Sequence, residues 1–211
     1  MMRQARPLLL LGLPAARAGE TVGLMGGSFN PPHHGHFTVA ATALRRLGLD
    51  QLWWLVSPGN PLKSVRDLSP LAERMAGCRA LARHPRMEVT GFESELPTAY
   101  SADTLNVLSA RYPRTRFVWV MGADNLAEVH RWRRWRDIFR SFPVAVVDRP
   151  GWHLKALSSP AARVFWRYRT DAAMSRNLAL LAPPAWVFLP ARLSALSSTD
   201  LRHHAIRNAT D

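Results

Sequence analysis

The apolar run Val22 to Met25 ends in Gly26 and Gly27, and Ser28, Phe29, Asn30, Pro31 and Pro32 follow. His33, His34 and His36 then open an apolar-periodic stretch from about Phe37 to Leu47. This order of residue types leaves few folds open. The run reads as a buried first strand, the prolines as a stiff turn, and the next stretch as a helix. Paired glycines remove side-chain bulk and permit positive φ, so the backbone there can pass close to a ligand. A helix N-terminus stands directly behind the loop, and its free N–H groups and positive dipole end favour a phosphate. His33 and His36, three apart, can present to the same side of the first helical turn.

The 211 residues suffice for one sizeable core but not for two ordinary domains. The formal charge of +13 is almost all arginine, since Lys63 and Lys155 are the only lysines. Such an excess invites a nucleic-acid reading. The arginines are spread along the whole chain, however, without a basic tail or basic-aromatic repeat, so anionic small-molecule ligands account for them better. A single cysteine, Cys78, rules out an intrachain disulfide and fits a small core residue. Residues 1–20, with Arg3 and Arg6 before a leucine-rich run, superficially copy a signal peptide. Cleavage near Ala18 would leave almost nothing before the first strand, so a flexible (disordered or loosely docked) N-terminal extension, or a misassigned start codon, is expected, followed by one domain over 21–211. No apolar run is long enough to span a bilayer.

Along the chain, Gln51 to Ser57 reads as a second buried strand, and strand–helix–strand at this spacing is a parallel, right-handed βαβ unit. Lys63 lies just beyond its carboxyl end, where open α/β sheets bind ligands. Ser69 and Pro70 mark a helix start with Ser69 as the expected cap, and the helix extends to Leu81. Met87 to Val89 is a short strand, Gly91 to Thr98 a polar connection, and a helix begins at Ser101 or Asp103. Arg116 to Met121 is a further buried strand leading to Gly122-Ala123-Asp124. A helix over His130 to Phe139 would carry Trp135 into the core, leave Trp132 open to core or ligand, and hold Arg131, Arg133, Arg134 and Arg136 on a solvated face. Strands are expected over Phe142–Val147 and Ala185–Leu189, with Ser159-Pro160 opening a short helix between them. The remainder of 152–184 carries little signal.

Near the end, Ser197, Ser198 and Thr199 stand at a helix start, with Arg202 three residues after Thr199. Hydroxyls, free N–H groups and a guanidinium on one face suit a phosphate. The chain has neither the P-loop pattern nor the Gly-x-Gly-x-x-Gly fingerprint. The histidine pair lacks a third ligand at metal spacing, so no zinc or other protein-held metal is expected.

Gly26 to His36 closely resembles the His-x-Gly-His signature of a nucleotidyltransferase superfamily, and Ser197 to Arg202 resembles its C-terminal motif. Pro58 to Lys63, Ala102 to Leu105, Gly122-Ala123-Asp124 with Trp132 eight residues on, and Arg149-Pro150-Gly151 make the bacterial nicotinate-nucleotide adenylyltransferases the most similar branch. Ser28 and Asn30 stand where many relatives have Thr and Asp. The resemblance implies an α/β fold: a Rossmann-like, open, mostly parallel sheet with helices on both faces and a C-terminal helical motif. It also implies adenylyl transfer from ATP, with Mg²⁺, to nicotinic acid mononucleotide in the cytoplasm. Nucleic acid and membrane would play no part, and a homo-oligomer would be compatible.

By the same resemblance, His33, His36, Lys63 and Arg202 are the catalytic set. Gly26, Gly27, Ser28, Phe29, His33, His36, Asp124, Ser198, Thr199 and Arg202 would bind ATP. Ser28, Lys63, Thr104, Asp124, Trp132 and Arg149 would bind the mononucleotide, with Trp132 offering the pyridine ring a flat face. Two rivals remain: a basic nucleic-acid-binding protein, and an adenylyltransferase for another phosphorylated acceptor.

Overall fold

The computed structural model describes residues 12–59, 68–96 and 100–190. Its frame is a sheet of seven strands among these residues: β1 (Thr21–Gly27), β2 (Gln51–Val56), β3 (Met87–Thr90), β4 (Arg116–Gly122), β5 (Val144–Val147), β6 (Arg169–Thr170) and β7 (Trp186–Leu189). The order is β3-β2-β1-β4-β5-β7-β6, and every pairing is parallel. The chain works outward from β1 to β3, then returns to place β4 on the other side of β1, with Leu24 opposite both Trp53 and Trp119. That reversal opens a crevice at the carboxyl ends of β1 and β4, where such sheets take ligands.

Parallel strands buried on both faces read as continuous apolar runs, and side chains alternate between the two layers. Leu24, Trp53, Phe117, Trp119 and Val146 face one layer, formed by α3 (Ser101–Arg111), α4 (Ala123–Glu128), α5 (Trp135–Ser141), α6 (His153–Leu157) and α7 (Pro160–Val164). Met25, Trp54, Val118, Val120 and Val147 face the other, formed by α1 (His34–Leu47), α2 (Leu71–Leu81) and a 3-10 segment over Ala172–Leu180. The expected open α/β sheet with helices on both faces is therefore present. The expected C-terminal helix falls in 191–211, outside the described residues. Among the described residues no helix is long and apolar enough to cross a membrane.

Several local expectations change. Ser69 does not cap α2: Pro70 occupies that position without a side-chain cap, and the Ser69 N–H donates to Asn30 Oδ1 at 3.2 Å. The helix expected over His130–Phe139 is interrupted. A 3-10 turn (Val129–Arg131) ends before Trp132, and Arg134 takes φ 55° before α5 begins. Arg131, Arg133, Arg134 and Arg136 are exposed as expected, but not on one continuous helix: Arg134 bonds Asp103 and Asp137, and Arg133 lies over the Tyr100 ring at 4.6 Å. The Gly91 to Thr98 connection contains a 3-10 turn (Phe92–Glu95) that buries Phe92 and Glu93.

Residues 12–20 are held against the end of β3, the end of α3 and the start of β2. Thr90 Oγ1 donates to the Gly12 carbonyl at 2.7 Å, Tyr112 Oη to Pro14 at 2.8 Å and Gln51 Nε2 to Ala15 at 3.0 Å. Leu13 and Ala16 pack on the core. Backbone carbonyls, which the side-chain pattern does not advertise, do most of this work.

Candidate active site

Three strand ends and one helix start converge on the crevice. β1 delivers Gly26 and Gly27, β4 delivers Gly122 and Asp124, and Asp148 and Arg149 follow β5. α1 starts with His33 at its N-cap. The His36 N–H donates to the His33 carbonyl at 2.9 Å, while His36 Nδ1 accepts the His33 N–H at 3.2 Å. A backbone N–H can only donate, so Nδ1 is the acceptor and the ring proton belongs on Nε2. The two imidazoles stack with centroids 3.8 Å apart, and Phe29 meets His36 edge-on at 4.9 Å. Both histidines thus occupy one side of the helix start, as their spacing predicts.

The glycines also make room for aromatic rings. Neither Gly26 nor Gly27 has positive φ; that conformation falls on Phe29, at 47°. A Cβ on Gly26 would stand 2.6 Å from the Trp119 indole, and one on Gly27 3.1 Å from the Phe29 ring. Close approach of the Trp119 ring excludes a side chain at Gly26, and one at Gly27 would require the Phe29 ring to give way by a few tenths of an ångström. Phe29 itself is buried beside Trp54, so only its backbone can face a ligand.

Asp124 Oδ2 accepts from Arg149 Nη1 at 2.8 Å, joining the ends of β4 and β5. Asp124 Oδ1 is buried and has no hydrogen-bond partner among the described residues, an uncommon state for a carboxylate oxygen. The Arg149 N–H is held by Asp148 Oδ1 at 2.8 Å. A Cβ on Gly35 would stand 2.8 Å from Arg149 Nη2 and 2.9 Å from the His33 ring. Gly35 therefore lets the cation and the histidines share one wall. Gly35→Ala is expected to reduce turnover at least about tenfold by displacing these groups, with a small change in Tm. Wild-type turnover in that variant would show that the wall tolerates the methyl.

Trp132 and the start of α3 are brought together: Arg134 Nη1 bonds Asp103 Oδ1 at 2.7 Å, and Arg133 covers Tyr100. Trp132 is half-buried on the edge of the core. Thr104 lies in the first turns of α3 as expected, but its hydroxyl points inward, is 1% exposed and donates to the Tyr100 carbonyl at 3.4 Å. It also meets the buried Glu93 carboxyl, whose pKa burial pushes up to about 7 against the lowering effect of the Thr104 hydrogen bond. The N–H groups of Asp103 and Thr104 are both taken by the Tyr100 carbonyl, which leaves those of Ser101 and Ala102 at the helix end.

Lys63, Ser198, Thr199 and Arg202 lie outside the described residues. Sequence reasoning missed Glu93 and Arg74. Arg74 is 2% exposed and donates to four carbonyls: Ser28 at 2.7 Å, Ser57 and Ser69 at 2.8 Å, and Pro58 at 3.3 Å. The available signal was position: Arg74 sits among Leu71, Met75 and Cys78 on the inward side of α2.

A family model described as cytidylyltransferase-like matches residues 24–204. Together with the parallel sheet and the histidine-bearing helix start at its switch point, this defines a nucleotidyltransferase. The chain is 53% identical over 193 residues to a probable nicotinate-nucleotide adenylyltransferase of Mesorhizobium japonicum, covering 92% of this chain and 99% of the relative. It is 59% identical to one from Rhizobium meliloti, covering 86% and 96%. The chain belongs to the nicotinate-nucleotide adenylyltransferase family. At 15% identity the fold also matches Plasmodium falciparum nicotinic acid mononucleotide adenylyltransferase complexed with NaAD, with a TM-score of 0.66 over 87% of this chain and 83% of that one.

Proposed function

We infer that this chain transfers AMP from ATP to nicotinic acid mononucleotide, giving nicotinic acid adenine dinucleotide and pyrophosphate, as a step of NAD biosynthesis. The observation that carries this reading, beside family membership, is the stacked His33–His36 pair at the start of α1, facing the switch point. A phosphate oxygen of the mononucleotide attacks the α-phosphorus of ATP, and the bond from that phosphorus to the α–β bridging oxygen breaks. The attacking phosphate is already largely an anion near neutral pH, its second pKa being about 6. No strong base is required, so catalysis rests on alignment and charge stabilisation.

His36 Nε2–H and the N-terminal N–H groups of α1 stabilise charge on the reacting and departing phosphates, with His33 beside them. The backbone of Gly26 to Phe29 passes close to the triphosphate. Asp124 takes ribose hydroxyls on its buried Oδ1, and Arg149 holds Asp124 and favours the anionic substrates. Lys63, Ser198, Thr199 and Arg202 are assigned to the phosphates by sequence similarity. Trp132 stacks on the pyridine ring, while Ser101 and Ala102, next to Thr104, offer N–H groups to the nicotinate carboxylate. Among the described residues no three His, Cys, Asp or Glu side chains converge to hold a metal. Magnesium enters as part of the substrate MgATP, on phosphate oxygens and water. We read residues 21–211 as one catalytic domain acting on small molecules in the cytoplasm.

Pyrophosphate release from MgATP, measured in parallel with the acid and amide mononucleotides, tests the reading. Release with the acid alone supports it; equal kcat/KM for both removes the specificity claim. Release only with a different phosphorylated acceptor replaces the assigned substrate. Two variants resolve the subsites. Trp132→Ala is expected to raise KM for the mononucleotide about tenfold with ATP little affected, since aromatic stacking contributes about 1 kcal/mol or more. Arg202→Ala is expected to raise KM for ATP far more than KM for the mononucleotide. Equal effects on both substrates would remove Arg202 from the triphosphate site.

A further inference from the structure

Arg74 is a buried guanidinium with no carboxylate partner among the described residues. Its ionisable neighbour one helical turn on, Cys78, is held as a neutral thiol by burial. A buried cation without an anion is costly unless its surroundings or a ligand compensate. Here four carbonyls satisfy its donors, and they come from three separate segments. Ser28 follows β1, Ser57 and Pro58 follow β2, and Ser69 precedes α2.

A trans peptide is planar, with its C=O and N–H on opposite sides. Turning the Ser28 and Pro58 carbonyls inward onto Arg74 therefore turns the N–H groups of Phe29 and Gly59 outward. The Ser69 N–H, in turn, holds Asn30 Oδ1 at 3.2 Å, so the β1 loop is tied to the same guanidinium twice. The outcome is a pair of strand ends whose amide protons point away from a fixed positive charge.

We propose that Arg74 is a positioning residue for triphosphate binding: it orients the loops after β1 and β2 with their N–H groups outward, and its charge is balanced when the polyanion binds. The role rests on the inferred use of ATP, but not on the identity of the acceptor. Lysine cannot reach three segments at once with a planar fork. Arg74→Lys is thus expected to raise the Kd for MgATP about tenfold while leaving the Kd for the mononucleotide within about twofold. Cys78→Asp keeps all four carbonyl bonds but places a carboxylate beside the guanidinium; it too is expected to weaken MgATP, with Cys78→Ser as the neutral control.

The experiment is calorimetric titration of the full chain and these variants with MgATP and, separately, with the mononucleotide, each variant first checked for a cooperative thermal transition. Selective loss of MgATP affinity in Arg74→Lys, or in Cys78→Asp where the lysine variant does not fold, supports the role. Wild-type MgATP affinity in folded Arg74→Lys and Cys78→Asp, or equal weakening of both ligands, overturns it and leaves Arg74 a packing element. Wild-type protein that binds MgATP but does not turn over with nicotinic acid mononucleotide would sink the assigned acceptor while leaving this inference standing.

Discussion

Replacing His36 with alanine is expected to lower kcat about 10³-fold, a loss of about 4 kcal/mol in transition-state stabilisation. The expectation comes from how the ring is held. Nδ1 is committed to the His33 N–H, the ring is stacked on His33, and Phe29 props its edge. The ring proton on Nε2 is therefore pre-aimed, and a donor that does not reorganise contributes more than one recruited from solvent. Alanine removes the donor and also leaves the His33 N–H without its acceptor. His36→Gln can place an amide N–H near the position of Nε2 and is expected to recover about tenfold of the loss. Single-turnover pyrophosphate release, with KM for each substrate measured alongside, checks both numbers. Rates for His36→Ala within about threefold of wild type would move the stabilising role to the helix N–H groups alone.

The strands were legible because parallel strands buried on both faces leave continuous apolar runs, as in Leu52 to Val56 and Phe117 to Met121. The first loop was legible because glycine, proline and histidine stand together where a strand hands over to a helix. What stayed hidden depends on contacts distant in sequence. Arg74 reads as an ordinary helix arginine until its 46-residue reach to the Ser28 carbonyl is known. The break at Trp132–Arg134 hides behind good helical spacing, and it arises where Arg134 turns back to Asp103 and Asp137. The packing role of Gly26 is hidden in the same way: the ring that excludes its side chain, Trp119, lies on a strand 93 residues later in the chain. Glu93 was passed over because a glutamate in a loop between a strand and a helix usually meets water.

That glutamate is expected to make stability fall as pH rises through neutrality. Glu93 is 6% exposed, and burial holds its carboxyl pKa near 7 against an ordinary 4.5. The folded chain thus keeps a proton that the unfolded chain releases. The stability this contributes is fully present below about pH 4.5 and is lost as pH rises through about 7. Over that interval the change is on the order of 3 kcal/mol, at about 1.4 kcal/mol per pH unit. Burial explains the preference for the neutral form, and the Thr104 hydrogen bond, which favours the carboxylate, only partly offsets it. Glu93→Gln supplies a permanent donor of nearly the same shape. Its unfolding free energy in urea should be flatter than that of wild type between pH 5 and 8, with the two curves separating as pH rises toward 8 and the variant becoming the more stable. Because Tyr100 and Thr104 belong to the start of α3, wild-type KM for the mononucleotide should also rise over this range while that of the variant stays level. Parallel stability curves for the two proteins would mean that Glu93 is already ionised near pH 5, and that its carboxylate is solvated despite its burial.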